Sequence, residues 1–252
     1  MSDDNSTDRL STKTPDYVLA AARAALGAVP FAGSLLAEIA GSIIPNQRIE
    51  RIVDFAKELE SRLSELDRSL VRSHLTDENS TDLMEEALRQ VARSVSQERR
   101  ARIAALIANG LKPDDVSFVE SKHLLRILGE TNDIEVIRLT SHLFETMGSG
   151  KEYWEKHKDV LDSVAPTMGS SQRELDTATL QDSYDEHLAR LGLLNARHNV
   201  DPRTNQLVVD RFTGELEVRG YKLSSLGRLL LKQLGIEVDD ERANIRMEPT
   251  RH

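Results

Sequence analysis

The sequence predicts a mainly α-helical protein: a multi-helix bundle followed by a small C-terminal winged-helix-like module containing a two-stranded β-hairpin. Three observations carry this expectation. Charged residues make up 30% of the 252 positions and aromatics only 4%, a balance found in helical soluble chains. Apolar residues recur at three- and four-residue steps through most of the chain up to Pro166. Beyond it the order changes to helix, polar loop, two β-like runs and a last helix, which is the order of a winged helix.

A chain of 252 residues can bury one large core or two modest ones, and two domains are expected. Residues 1–16, "MSDDNSTDRLSTKTPD", are polar and acidic where a signal peptide needs a basic start running into an apolar core, so they read as a disordered leader. Residues 17–166 read as the helical bundle and 171–236 as the winged-helix-like module. The tail, 237–252, has no apolar period and reads as disordered.

The bundle opens on an apolar hairpin. Between Tyr17 and Pro45 the chain is rich in Ala, Leu and Ile, but Gly27, Pro30 and Gly33 break a continuous helix into two short arms. The second arm is shorter than the roughly 20 apolar residues of a spanning helix. It is also two-faced: Leu35, Leu36, Ile39 and Ile43 fall on one side, and Ser34, Glu38 and Ser42 on the other. Such arms suit a buried hairpin or a segment that enters a membrane interface under some condition. The four apolar residues are the candidate membrane or partner contact.

Next comes a heptad seam. Ile49, Ile52, Ala56, Leu59, Leu63, Leu66 and Leu70 follow alternating three- and four-residue steps. An intermolecular coiled coil and an antiparallel helix inside a bundle both use this pattern. Ile49, Ile52, Leu59, Leu63 and Leu66 are therefore the candidate oligomerisation seam.

The following helix places Met84, Leu88, Val91 and Val95 in one stripe and Ile103, Leu106 and Ile107 in a second, with Ser94 and Ser96 between them. Its arginines, Arg89, Arg93, Arg99, Arg100 and Arg102, read as a solvated face paired with Glu85, Glu86 and Glu98, or as a contact for anionic lipid or nucleotide. Three further helices, "VSFVESKHLLRILG", "DIEVIRLTSHLFETMG" and "KEYWEKHKDVLDSVAP", each end at Gly or Pro.

After the linker-like "TMGSSQ", a helix runs through "RELDTATLQDSYDEHLARLGLL". A polar loop follows, then two β-like runs about Thr213 and Gly214 in "LVVDRFTGELEVRGYKL". A last helix, "SSLGRLLLKQLG", has Ser224 or Ser225 as N-cap and Gly235 as its stop.

Composition narrows the chemistry. With no cysteine, thiol catalysis, disulfides and thiolate metal sites are excluded. A net charge of −9 argues against general nucleic-acid binding, which needs clustered Lys and Arg. In the position of a recognition helix stand Asp182, Asp185 and Glu186 against Arg190 alone, and on the wing Arg211, Arg219 and Lys222 alternate with acids. Arg190, Arg219 and Lys222 are the candidate contacts if the wing binds DNA, the less favoured reading. Glu120 and His123 form one E-x-x-H, but a di-iron bundle needs two copies and further carboxylates. "GSGKEYW" lacks Walker spacing, and no serine sits in G-x-S-x-G. Hence no catalytic, metal or cofactor residue is assigned.

Taken in order, the Ala/Gly-rich apolar N-terminus, "LMEEALRQVARSVSQERRARIAALIANGL", "VSFVESKHLLRILGETNDIEVIRLTSHL", "HLARLGLL" and "YKLSSLGRLLL" resemble the abortive-infection alpha family of bacterial proteins. The resemblance spans roughly Tyr17 to Leu234 and transfers no functional residue. What it implies is a role in phage defence or on mobile elements, through the membrane in one version. The resulting expectation is a cytoplasmic, non-enzymatic interaction protein that meets an unknown protein partner or phage trigger and associates conditionally with the inner membrane. A winged-helix transcriptional regulator and a homo-oligomeric scaffold are the alternatives.

Overall fold

The computed structural model describes residues 48–64, 66, 78–112, 117–144, 150–211 and 214–236. The leader, the apolar hairpin with Leu35, Leu36, Ile39 and Ile43, the end of the seam at Leu70 and the tail lie outside the described residues. Within them the protein is mainly helical, with one two-stranded antiparallel sheet near the C-terminus. Two compact units divide the chain between Glu130 and Thr131, with Gln233–Gly235 counted in the first. The expected change of character after Pro166 is therefore not where the units part. The helix at Asp133–Phe144 belongs with the C-terminal elements because its polar face is bonded to them, as described below.

The first unit contains α1 (Ile49–Leu63), α2 (Glu78–Arg93), α3 (Gln97–Gly110) and α4 (Phe118–Glu130). Helix α1 lies mainly on α3, and α2 mainly on α4. Phe55, Leu59, Met84, Leu88, Ile103 and Leu106 are buried at the centre, each contributing about 1.5–3 kcal/mol by leaving water. The seam on α1 is spent here: Ile52, Ala56, Leu59 and Leu63 are 0% exposed within the single chain, and Leu66 is half-buried.

The two apolar stripes belong to separate helices, because the chain leaves helical conformation at Ser94–Ser96. Ser96 caps α3 by accepting the Arg99 amide at 3.1 Å. Val95, expected on the first stripe, is 81% exposed, since the break turns it away from the α2 axis. Arg100 fills the space behind the break. Its guanidinium donates to the carbonyls of Ser94, Val95 and Ser96 at 3.4, 3.0 and 3.3 Å and to Asp54 Oδ2 of α1 at 3.2 Å. A buried cation thus satisfies carbonyls at the C-terminal end of α2, where the helix dipole favours it. Arg99 donates to the Leu128 carbonyl of α4, and Arg89 pairs with Glu85 at 3.0 Å. The arginine-rich stretch is in good part internal wiring.

Three helices start with the same reciprocal device. Ser117 and Glu120 open α4, Asn132 and Glu135 open α5 (Asp133–Phe144), and Ser171 and Glu174 open α8 (Gln172–Arg190). In each, the glutamate accepts the cap residue's amide while the cap side chain accepts the glutamate's amide, so two otherwise unpaired N–H groups are satisfied.

The second unit contains α5, α6 (Lys151–Lys156), α7 (Lys158–Leu161), α8, β1 (Leu194–His198), β2 (Val218–Leu223) and α9 (Ser225–Gln233) as far as Lys232. The stretch expected as one helix, "KEYWEKHKDVLDSVAP", breaks at His157. Helices α8 and α9 end alike. At Gly192 (φ 75°) and Gly235 (φ 76°) the backbone turns left-handed, and the following residues, Leu193 and Ile236, donate back to Leu188 and Leu231 at 2.9 and 3.0 Å. Glycine takes this conformation without the Cβ penalty, which makes "LGL" and "LGI" effective stops.

The sheet corrects the sequence reading. Strand β1 lies in "LNARH", expected as helix end and polar loop, and it pairs antiparallel with β2 from Leu194↔Leu223 to His198↔Val218, with a bulge after Arg197. Only one inward residue of β1, Leu194, is apolar and buried, so no alternation marked the strand. Ser224 is the N-cap of α9: its hydroxyl accepts the Gly227 amide at 2.9 Å and donates to the Gly192 carbonyl at 2.6 Å. Among the described residues, no helix is long and apolar enough to cross a membrane.

Candidate functional site

The features suited to recognition lie in the second unit and begin from a charged seam between α5 and α8. Arg138 donates from Nε and Nη2 to the two oxygens of Asp185 at 2.9 and 2.6 Å, a bidentate pair with both side chains about 15% exposed. One turn away, Glu135 Oε1 lies 2.7 Å from His187 Nδ1, while its Oε2 accepts the Asn132 amide at 2.7 Å. The Arg138–Asp185 ion pair and the Glu135–His187 contact, one turn apart on α5, together fix both the position and the rotation of α8. The α8 C-terminus passes directly into β1, so the seam also aims the hairpin.

The α8 surface facing the hairpin is acidic. Tyr221 of β2 has its phenol held above the ordinary 10.0 first by burial, then by the negative charges of Glu186, Asp185 and Asp182. Any anionic ligand approaching this side meets the same field.

Beyond β1 and β2 the hairpin branches. Asn199 donates its amide to the Glu217 carbonyl, Glu217 to Val208, and Val208 to Asn199, each at 2.9 Å, closing a ring of three backbone hydrogen bonds. From this ring two smaller hairpins project. One pairs Val200 with Leu207, and the other pairs Val209 with Leu216. Asn199 Nδ2 donates to Glu217 Oε2 at 2.9 Å, and Asp210 accepts the Gly214 amide at 2.9 Å. A wing of this length is therefore internally braced through its main chain.

Its side chains are unlike those of a solvated loop. Val200 is 48% exposed, Leu207 51%, Val209 49%, Leu216 40% and Val218 43%. Residues opposed in an antiparallel pair share a face, so Val200 sits beside Leu207 and Val209 beside Leu216. Single exposed apolar residues are ordinary, but here five fall on one short branched hairpin.

The candidates from the sequence distribute as follows. Arg190 is exposed at the end of α8, and Arg219 and Lys222 are exposed on β2. Arg219 is the extra residue at the bulge in the β1–β2 pairing, since Arg197 faces Gly220 and His198 faces Val218. The seam residues Ile52, Leu59 and Leu63 are covered by the chain's own helices, and the side chain of Ile49 is outside the described set. Glu120 of the E-x-x-H pair spends its carboxylate on the Ser117 amide. Among the described residues no group of three His, Asp or Glu is placed to hold a metal ion.

Sequence reading missed the Glu135–His187 pair and the branched wing. The N-x-x-E spacing at Asn132 marks the cap, but nothing local marks a partner 52 residues away. No protein-family profile, curated protein or solved structure matches the chain.

Proposed function

We propose that the chain is a non-enzymatic binding protein that acts through protein contacts, with the branched wing of the second unit as its contact surface. The observation that carries this reading is the set of exposed side chains Val200, Leu207, Val209, Leu216 and Val218 on a hairpin braced by a ring of main-chain hydrogen bonds. A rigid apolar surface loses little entropy when covered, so it suits a partner interface. The acidic α8 favours a protein partner over a phosphate backbone.

The biological setting is proposed from the resemblance: phage defence, in which a phage or host trigger is met by contact and the 17–45 hairpin then engages the membrane. A phage-challenge assay tests both arms. Leu207→Asp with Val209→Asp removes protection while leaving the far-UV circular dichroism and melting curve unchanged; protection that survives this double variant overturns the wing as the contact surface. Leu36→Asp with Ile39→Asp tests the membrane arm separately, through protection and membrane potential during infection.

A further inference from the structure

We propose that the second unit binds a small zwitterion with an apolar side chain, of the free amino acid type, at the aromatic face made by Phe144 of α5 and Tyr153 and Trp154 of α6. A pocket of about 320 Å³ opens there, within the size range of small-molecule sites. Its walls are apolar and held in place. The Phe144 and Tyr153 rings lie 5.0 Å apart between centroids, tilted by 39°, and His157 backs Tyr153 at 4.6 Å. The Tyr153 hydroxyl donates to the Ile137 carbonyl at 3.2 Å, and Trp154 Nε1 donates to Asp162 Oδ1 at 3.2 Å. With both polar tips engaged, ring surface is what remains for a ligand.

Gly150 lets the wall form. A Cβ there would stand 2.4 Å from Phe144 Cβ, so any larger residue pushes the start of α6 off the Phe144 ring. Its φ of −81° is open to any residue, which makes space the reason for the glycine.

The rim decides the ligand's charge. Lys151 and Glu155 line the pocket one helical turn apart on the same face of α6. Neither makes an ion pair or hydrogen bond among the described residues. Lysine placed N-terminal to glutamate is the weaker orientation for an i,i+4 pair, which leaves both charges available. A simple cation over the rings would pair with Glu155 and leave Lys151 unmatched, and a simple anion would do the reverse. A molecule bearing a carboxylate and an ammonium on neighbouring atoms satisfies both, its carboxylate toward Lys151 Nζ and its ammonium toward the Glu155 carboxylate, while its side chain lies on the Phe144 and Tyr153 rings.

Trp154 is the single tryptophan of the chain, so its fluorescence reports directly on this pocket. Titration of the full chain with L-phenylalanine, excited where only indole absorbs, is expected to give a saturable change. Glycine, which lacks the side chain, is expected to give none. Phenylacetate and phenethylamine, each keeping one charge, are expected to bind about tenfold more weakly, as are Lys151→Met and Glu155→Gln chains with phenylalanine. Circular dichroism of the two variants shows that the fold is kept. The proposal is overturned if phenylalanine gives no saturable change, if either single-charge analogue binds as well as phenylalanine, or if both rim variants bind it unchanged.

Discussion

Glu135 on α5 holds the Asn132 amide with one carboxylate oxygen and meets His187 Nδ1 on α8 with the other, each at 2.7 Å. One buried side chain, 3% exposed, therefore both starts a helix and anchors a second helix to it. Removing it costs two interactions at once. Glu135→Ala is expected to lower the stability of the second unit by roughly 2–4 kcal/mol, combining a lost cap with a lost charged hydrogen bond. His187→Ala leaves the cap intact and is expected to cost about 1–2 kcal/mol. A double-mutant cycle by urea unfolding measures the coupling, and additive effects would show that the pair contributes nothing beyond its separate parts.

Gly110, the last residue of α3, approaches Ser121 of α4 so closely that an added Cβ would stand 2.4 Å from Ser121 Oγ. Ser121 is buried, and among the described residues its hydroxyl has no hydrogen-bond partner. Gly110→Ala is expected to destabilise the first unit by about 1–3 kcal/mol through overpacking. Ser121→Ala alone is expected to be neutral or stabilising, because it removes an unsatisfied buried hydroxyl. The double variant should recover much of the loss in thermal melts, with no recovery excluding this contact as the cause.

Gly227 makes a harder contact. A Cβ at this position would lie 2.3 Å from the Leu193 carbonyl oxygen and 2.8 Å from Leu223 Cδ1. Backbone cannot step aside as a side-chain tip can. We expect Gly227→Ala to cost about 3 kcal/mol, at the upper end of overpacking effects, and to shift the Leu193 and Ser224 amides in a heteronuclear NMR spectrum. An unperturbed spectrum would count against the close approach.

The pH response has an acid and an alkaline limb. Hydrogen bonding to the Ser117 and Ser171 amides first, and to their hydroxyls second, holds Glu120 and Glu174 below the ordinary 4.5. A depressed native pKa stabilises the fold above the unfolded value and is lost as pH falls through the native one, so helices α4 and α8 should loosen below 4.5. Side-chain NMR titration of Ser171→Ala should move the Glu174 midpoint upward only in part, because the amide remains. Tyr221, raised above 10.0 by burial and by Glu186, Asp185 and Asp182, gives the opposite sign: its contribution holds below 10.0 and fades as pH rises. Glu186→Gln should lower the phenol midpoint, read as the absorbance difference from Tyr221→Phe.

Much of the helical architecture is legible because the informative interactions are local. The serines at 94 and 96 mark the break between α2 and α3, and Ser224 and Gly235 bracket α9 by chemistry that acts over a few residues. The three reciprocal caps were equally available as S-x-x-E and N-x-x-E spacings. Strand β1 was not, since "LNARH" buries one apolar side chain and takes its conformation from β2, more than twenty positions later in the chain. The wing's apolar residues were visible as β-like runs, but their exposure depends on what the fold leaves uncovered.

By itself the sequence determined the helical class, most helix limits and the absence of thiol chemistry, because periodicity, capping and composition are written within a turn or two of the backbone. Only the tertiary structure decided that Glu135 meets His187, that Arg100 closes the end of α2, that the α1 seam is covered from within, and that five apolar side chains remain in the open on the wing. These depend on which distant surfaces come together to exclude water, and burial is a property of the pair rather than of either segment.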